Sequence, residues 1–169
     1  GDFGFKSETG YGDIRFNKAL AGGSLMDVGI YPLSFASMIF KAQPIDVKVI
    51  ADVGKTGVDE QAAVILGYEN GSLGLLSSAM TMETPKNMYI IGEEGYIHIP
   101  NVWYAQTATL KVAGKEDVSI DMPMEGNGYN HEVQEVVTCI QNGKLESDIM
   151  PLDETLEIID TLDKIKAQI

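Results

Sequence analysis

Asp27 and Tyr31 stand four residues apart within Gly22-Gly23-Ser24-Leu25-Met26-Asp27-Val28-Gly29-Ile30-Tyr31-Pro32. A carboxylate and a phenol at that spacing share a face if the segment is helical. Their neighbours are apolar, and an unpaired charge there is costly. An acceptor at Asp27 and a titratable hydroxyl at Tyr31 suit the holding and deprotonation of a substrate alcohol. The same pair also fits an ordinary helix start, with Asp27 capping backbone N–H groups and Tyr31 packed as a core aromatic. Spacing alone leaves both readings open.

Other motifs carry less. Gly54-Lys55-Thr56 ends like a phosphate loop, but Val49 stands where the first glycine belongs. The surrounding pattern is also strand–loop–strand, not strand–loop–helix. No G-x-G-x-x-G occurs, so the chain offers no dinucleotide-binding half and no cofactor-binding residue of its own. His131-Glu132 opens like a zinc-protease helix, yet Glu135 occupies the second histidine position, and no metal ligand set is expected. His98 falls in a strand pattern and Cys139 in an apolar helix, which reads them as structural.

Charge narrows the function classes. Against 25 Asp and Glu there are 12 Lys and Arg, a net charge of −13, and the one arginine is Arg15. Sequence-independent binding of nucleic acid or anionic membrane needs clustered cations, so neither partner is expected. A single cysteine forms no internal disulfide, and a reducing, cytoplasmic setting is the expectation. The apolar stretch from Ser24 to Phe40 is interrupted by Asp27 and Pro32 and is too short to span a bilayer.

The elements that must position Asp27 and Tyr31 are legible from periodicity. Gly1-Asp2-Phe3-Gly4-Phe5 reads as a strand entered at its start, as expected of one part of a longer protein. Residues 6–17 read as a loop, and a helix follows Gly22-Gly23, with a kink or fresh start near Gly29 to Pro32. From residue 45 the period changes to two, with strands expected over 45–53, 60–69, 72–80, 87–92, 95–99, 106–113 and 116–122. Asn70-Gly71 is a hairpin signal, and connections this short make an antiparallel meander. Val133, Val136, Val137 and Ile140 mark one closing helix, and Pro151 to Ile165 another. Helices bracketing a run of strands predict a single α+β domain over 1–169, a predominantly antiparallel open sheet with helices on one face.

The segment from Gly22 to Pro32 closely resembles the motif of the second domain in the glucose–fructose oxidoreductase / inositol dehydrogenase / MocA family. It is most similar to the branch containing the dihydrodiol and xylose dehydrogenases. Asp2-Phe3-Gly4-Phe5 resembles that domain's first strand, and Ile14-Arg15-Phe16 the lead into the glycines. Tyr129-Asn130-His131-Glu132 resembles the start of its penultimate helix, and Pro151 to Ile165 its closing helix. The similarity runs along essentially the whole chain. It implies a fold like the C-terminal domain of glyceraldehyde-3-phosphate dehydrogenase.

It also implies a partner that this chain lacks: an N-terminal Rossmann domain binding NAD or NADP, with a catalytic lysine in Glu-Lys-Pro. The chain alone is then expected to bind no cofactor and to be inactive. The whole protein would be an NAD(P)-dependent oxidoreductase acting on a sugar, cyclitol or related alcohol. Many members carry a histidine where Tyr31 stands, a departure the dihydrodiol-type branch shares, with its tyrosine as acid/base. On this reading Tyr31 moves the hydroxyl proton and Asp27 orients the hydroxyl. A tyrosine titrates near about 10 and needs a neighbouring cation to act near neutral pH, for which the absent lysine is the candidate. Arg15, Asn17 and Lys18, just upstream, are candidate substrate-binding residues and fit a solvated loop equally well.

A second reading is a non-catalytic scaffold. In 61–68 and 73–80 apolar residues occupy both strand faces, so helices covering one side would leave the other exposed as an interface. A homo-oligomer through the open sheet face is expected on either reading. The two part at Tyr31, which an enzyme needs at a cleft and a scaffold can bury.

Overall fold

The period-two alternation resolves into strands β2 Asp46–Val53, β3 Asp59–Gly67, β4 Leu73–Ala79, β5 Met88–Ile91, β6 Gly95–Ile99, β7 Thr107–Val112 and β8 Val118–Asp121, preceded by β1 Asp2–Gly4. The computed structural model describes all residues, 1–169. The strands form two four-stranded sheets, β1-β4-β3-β2 and β5-β6-β7-β8. Every pairing is antiparallel except β1 with β4, where Asp2 lies opposite Ser77 and Gly4 opposite Ala79. At the β3–β4 turn Gly71 takes the positive φ of 82° that a tight hairpin demands.

The expected meander is therefore interrupted between β4 and β5, and β1 is the reason. It lies on the free edge of β4 and bonds on its other side to the approach to β5. Asp2 N donates to the Asn87 carbonyl at 3.1 Å, and Thr84 N to the Gly4 carbonyl at 3.3 Å. The Asp2 carboxylate accepts from Lys86 N at 2.6 Å and Asn87 N at 3.2 Å. One short strand of the first sheet is thus also bonded to the segment that leads into the second.

Three short 3₁₀ turns cover Gly10–Gly12, Ile14–Phe16 and Lys18–Leu20. A wide π turn over Leu25–Gly29 then leads into α1, Ile30–Phe40. The change of helix type falls just before Pro32, which has no amide to donate to the Val28 carbonyl. By length and composition Lys18–Phe40 could cross a bilayer. Ala21 breaks it with a left-handed residue, and Leu25, Leu33 and Ala36 are packed into the core. Helices α2, Tyr129–Gln141, and α3, Leu152–Lys166, close the chain.

The core sits between the first sheet and helices α1 and α3. Ala62, Val64, Leu66 and Leu76 meet Ile158, Leu162 and Ile165 there, and Leu66 and Leu162 are 0% and 1% exposed. The alternate residues of the same strands, Ile50, Ile65, Leu73 and Leu75, are exposed on the opposite face. Helix α2 buries only Cys139, whose thiol burial pushes up in pKa, and leaves Val133, Val136 and Ile140 exposed.

Candidate functional site

Gly22 and Gly23 are needed for backbone reasons. A Cβ on Gly22 would lie 2.3 Å from the Arg15 carbonyl oxygen. Gly23 has φ of 126°, and a Cβ there would lie 2.2 Å from Asp59 Oδ1. The close approach lets the Asp59 carboxylate sit at the start of the helical segment. It accepts from Leu25 N at 2.7 Å and from the Ser24 hydroxyl at 2.9 Å, and Ser24 in turn reaches the Ser78 hydroxyl at 2.9 Å. A buried anion at a helix N-terminus meets both the free N–H groups and the positive end of the dipole. Asp59 is thus the cap, the role that one of the two sequence readings gave to Asp27.

Asp27 is released for other work. Its side chain is partly accessible, with Arg15 at 3.7 Å. Burial pushes the Asp27 carboxyl above its ordinary pKa, Arg15 draws it back in part, and the nearby Asp13 charge adds to the rise. Arg15 is itself fixed by Asp13 through a bidentate pair, Nε to Oδ1 at 2.9 Å and Nη2 to Oδ2 at 2.5 Å. Those bonds hold the Asp13 carboxyl well below the usual range. The guanidinium also lies 4.7 Å from the Phe5 ring centre.

Tyr31 is 47% exposed, not packed as a core aromatic. Its ring lies 5.1 Å from that of Phe3 in β1, and Phe3 stacks on Trp103 at 6.1 Å and 25°. Trp103 belongs to a 3₁₀ turn, Val102–Tyr104, between β6 and β7, and is itself exposed. Phe3, Tyr31 and Trp103 form an aromatic wall, with the Asp27–Arg15–Asp13 charges on the segment leading to it. Such a wall can take the apolar face of a ring while the carboxylate accepts from a ring hydroxyl.

Of the residues read from the sequence, the structure brings Asp27 together with Arg15. Asn17 is spent on capping, accepting from Ala19 N at 2.9 Å. Lys18 is exposed and its stem approaches Gly57 in the β2–β3 loop. Gly54-Lys55-Thr56 is a turn, and His98 stacks on Tyr89 at 4.6 Å. Sequence reasoning missed Asp59 and Trp103. The first was signalled only by a charged pair, Asp59-Glu60, opening an apolar strand, the second by a tryptophan outside any strand pattern.

The family model of the GFO/IDH/MocA C-terminal domain matches residues 1–98. A trans-1,2-dihydrobenzene-1,2-diol dehydrogenase from Xenopus laevis is 32% identical over 96% of this chain and 56% of its own length. Among solved structures, an aldose–aldose oxidoreductase from Caulobacter crescentus superposes with a TM-score of 0.84 at 23% identity, covering 99% of this chain and 51% of that one. A 3-ketoreductase from Actinomadura kijaniata, solved in complex with NADP, gives 0.80 at 17% identity over 99% and 52%. The chain spans about half the length of these relatives. With more than half of its residues under the family model and the same fold along nearly all of its length, the chain belongs to the GFO/IDH/MocA family as a C-terminal domain.

Proposed function

We propose that this domain is the substrate-facing, oligomerising half of an NAD(P)-dependent oxidoreductase acting on a hydroxyl of a sugar, cyclitol or dihydrodiol-like ring. The observation that carries the reading is the exposed Tyr31, part of an aromatic wall with Phe3 and Trp103 and four residues after a carboxylate, Asp27, whose capping role is taken by Asp59. Tyr31 Oη takes the hydroxyl proton during oxidation and returns it during reduction, and Asp27 accepts from a neighbouring hydroxyl to orient the reacting carbon. A nicotinamide cofactor, held by a Rossmann domain preceding this one, would supply the hydride chemistry. The domain itself does not suit the cofactor's pyrophosphate, because the one helix start behind a glycine pair is already occupied by the Asp59 carboxylate.

In the whole protein, Tyr31→Phe is expected to lower kcat by about a hundredfold or more while leaving the cofactor Kd unchanged. Unchanged turnover would remove Tyr31 from the mechanism. The exposed apolar residues of α2 suit a cover provided by the Rossmann domain, and those of the open sheet face a second copy. The second face also supports a non-catalytic reading, a scaffold assembled through the sheet. The Tyr31→Phe result separates the two.

A further inference from the structure

A cavity of about 360 Å³ opens beyond Gly1, between the edges of β4 and β5 and beneath α1. Phe35 and Ile39 line it from the helix, Leu73 and Leu75 from β4, and Tyr89 and Ile91 from β5. Further along, β4 and the segment leading into β5 already flank β1. Gly1 N donates to the Leu75 carbonyl at 2.6 Å, and Ser77 N donates to the Gly1 carbonyl at 3.0 Å. Backbone groups along a strand point alternately to its two neighbours. Met80 N bonds to Glu60 in β3, so the odd-numbered residues of β4 face β1, and the Leu75 N–H and Leu73 carbonyl point into the cavity. Gly92 N bonds to Gly95 in β6, so Tyr89 and Ile91 likewise point into it from the other side.

The cavity therefore has the direction and hydrogen-bonding groups of a strand that continues β1 backwards. We infer that it is filled, in the whole protein, by roughly four residues immediately upstream of Gly1, running parallel to β4 and antiparallel to β5. The inference rests on the reading of this chain as one part of a longer protein, as its half-length match to the relatives supports. Register follows from β1. The second upstream residue accepts from Leu75 N and donates to the Leu73 carbonyl, while the first and third pair with Tyr89 and Ile91. The second shares the face of Gly1 and Phe3, since Phe3 packs on Tyr31 of α1, and so meets Phe35 and Ile39. An apolar side chain is required there.

Amide hydrogen exchange on the whole protein tests this directly. The Leu75, Tyr89 and Ile91 amides should exchange about a hundredfold or more slowly than unpaired amides, in the range of β3. Exchange of these three at the rate of open edges overturns the inference. So does protection that disappears on dilution, which would place a second copy's strand in the slot. Proline at the second upstream residue should speed Leu75 exchange while β3 stays slow, and an unmoved Leu75 in that folded variant also overturns it. None of these readouts depends on turnover, so they stand or fall apart from the Tyr31→Phe result.

Discussion

Asp27 is a carboxylate held at a cost. Burial raises its folded pKa above the unfolded value, so the unfolded chain gives up this proton first, and the contribution of Asp27 to stability falls as pH rises through that window. Asp27→Asn is accordingly expected to leave the urea midpoint at neutral pH unchanged or slightly higher, while lowering activity of the whole protein. A clear fall in the midpoint would show that the Arg15 contact dominates. Asp13 behaves oppositely. Its bonds to Arg15 lower the folded pKa, so its stabilisation is complete above the unfolded pKa of about 3.9 and fades as pH falls toward the folded value. Asp13→Asn should destabilise at neutral pH, with the gap from the parent chain narrowing on acidification. Asp59→Ala removes two bonds to a buried charge and is expected to cost about 2–4 kcal/mol in chemical denaturation.

Among the elements, the entry to α1 depends most on single residues. Gly23→Ala forces a side chain into a left-handed backbone and onto Asp59, for an expected loss of about 1–3 kcal/mol by urea unfolding. Loss comparable to a surface substitution would show that the turn can relax. The strands β2 to β4 and the break near Pro32 were legible because their causes are local: alternation, an Asn-Gly turn, a missing amide. The parallel pairing of β1, the split of the sheet and the Asp59 cap were not. Each joins groups far apart in the chain, Leu25 and Asp59 being 34 residues apart, and no local pattern announces such a partner. For Asp27 and Tyr31 the motif was visible, but whether Tyr31 faced solvent depended on Phe3 and Trp103, from β1 and a distant loop.

At the scale of the molecule, one face of the first sheet is oily and the net charge is −13. Charge of one sign opposes association at long range, yet it is screened within about 8 Å at physiological salt, while apolar burial acts at contact. The whole protein is expected to sediment as a homo-oligomer, and Ile65→Glu, at the centre of the open face, to shift it to single protomers. A parent protein already running as single protomers at micromolar concentration would sink this assignment. Titrated with NADH or NADPH, the 169-residue chain is expected to show no saturable binding, because the phosphates would meet Asp59 and a like-charged surface.

The strand that links the first sheet to the approach to the second also sets an order of assembly. Gly1 and β1 leave the ribosome before the strands they bond to, and these hydrogen-bond partners lie 74 to 85 residues later in the chain. Closing so long a loop is entropically slow, and pairings of high sequence separation form late. Until β4 and the approach to β5 have been made, the backbone of the first residues has no strand to pair with, and of their ring and guanidinium partners Phe3 can meet only Tyr31 and Phe5 only Arg15. The β2–β3–β4 hairpins, whose contacts are local, are expected to form first, and the second sheet to take its final orientation only as Asp2 engages Lys86 and Asn87. Residues 1–5 are then among the last to be locked in, which makes the seam between the sheets the place where newly made chains are most exposed to capture by a neighbour's edge.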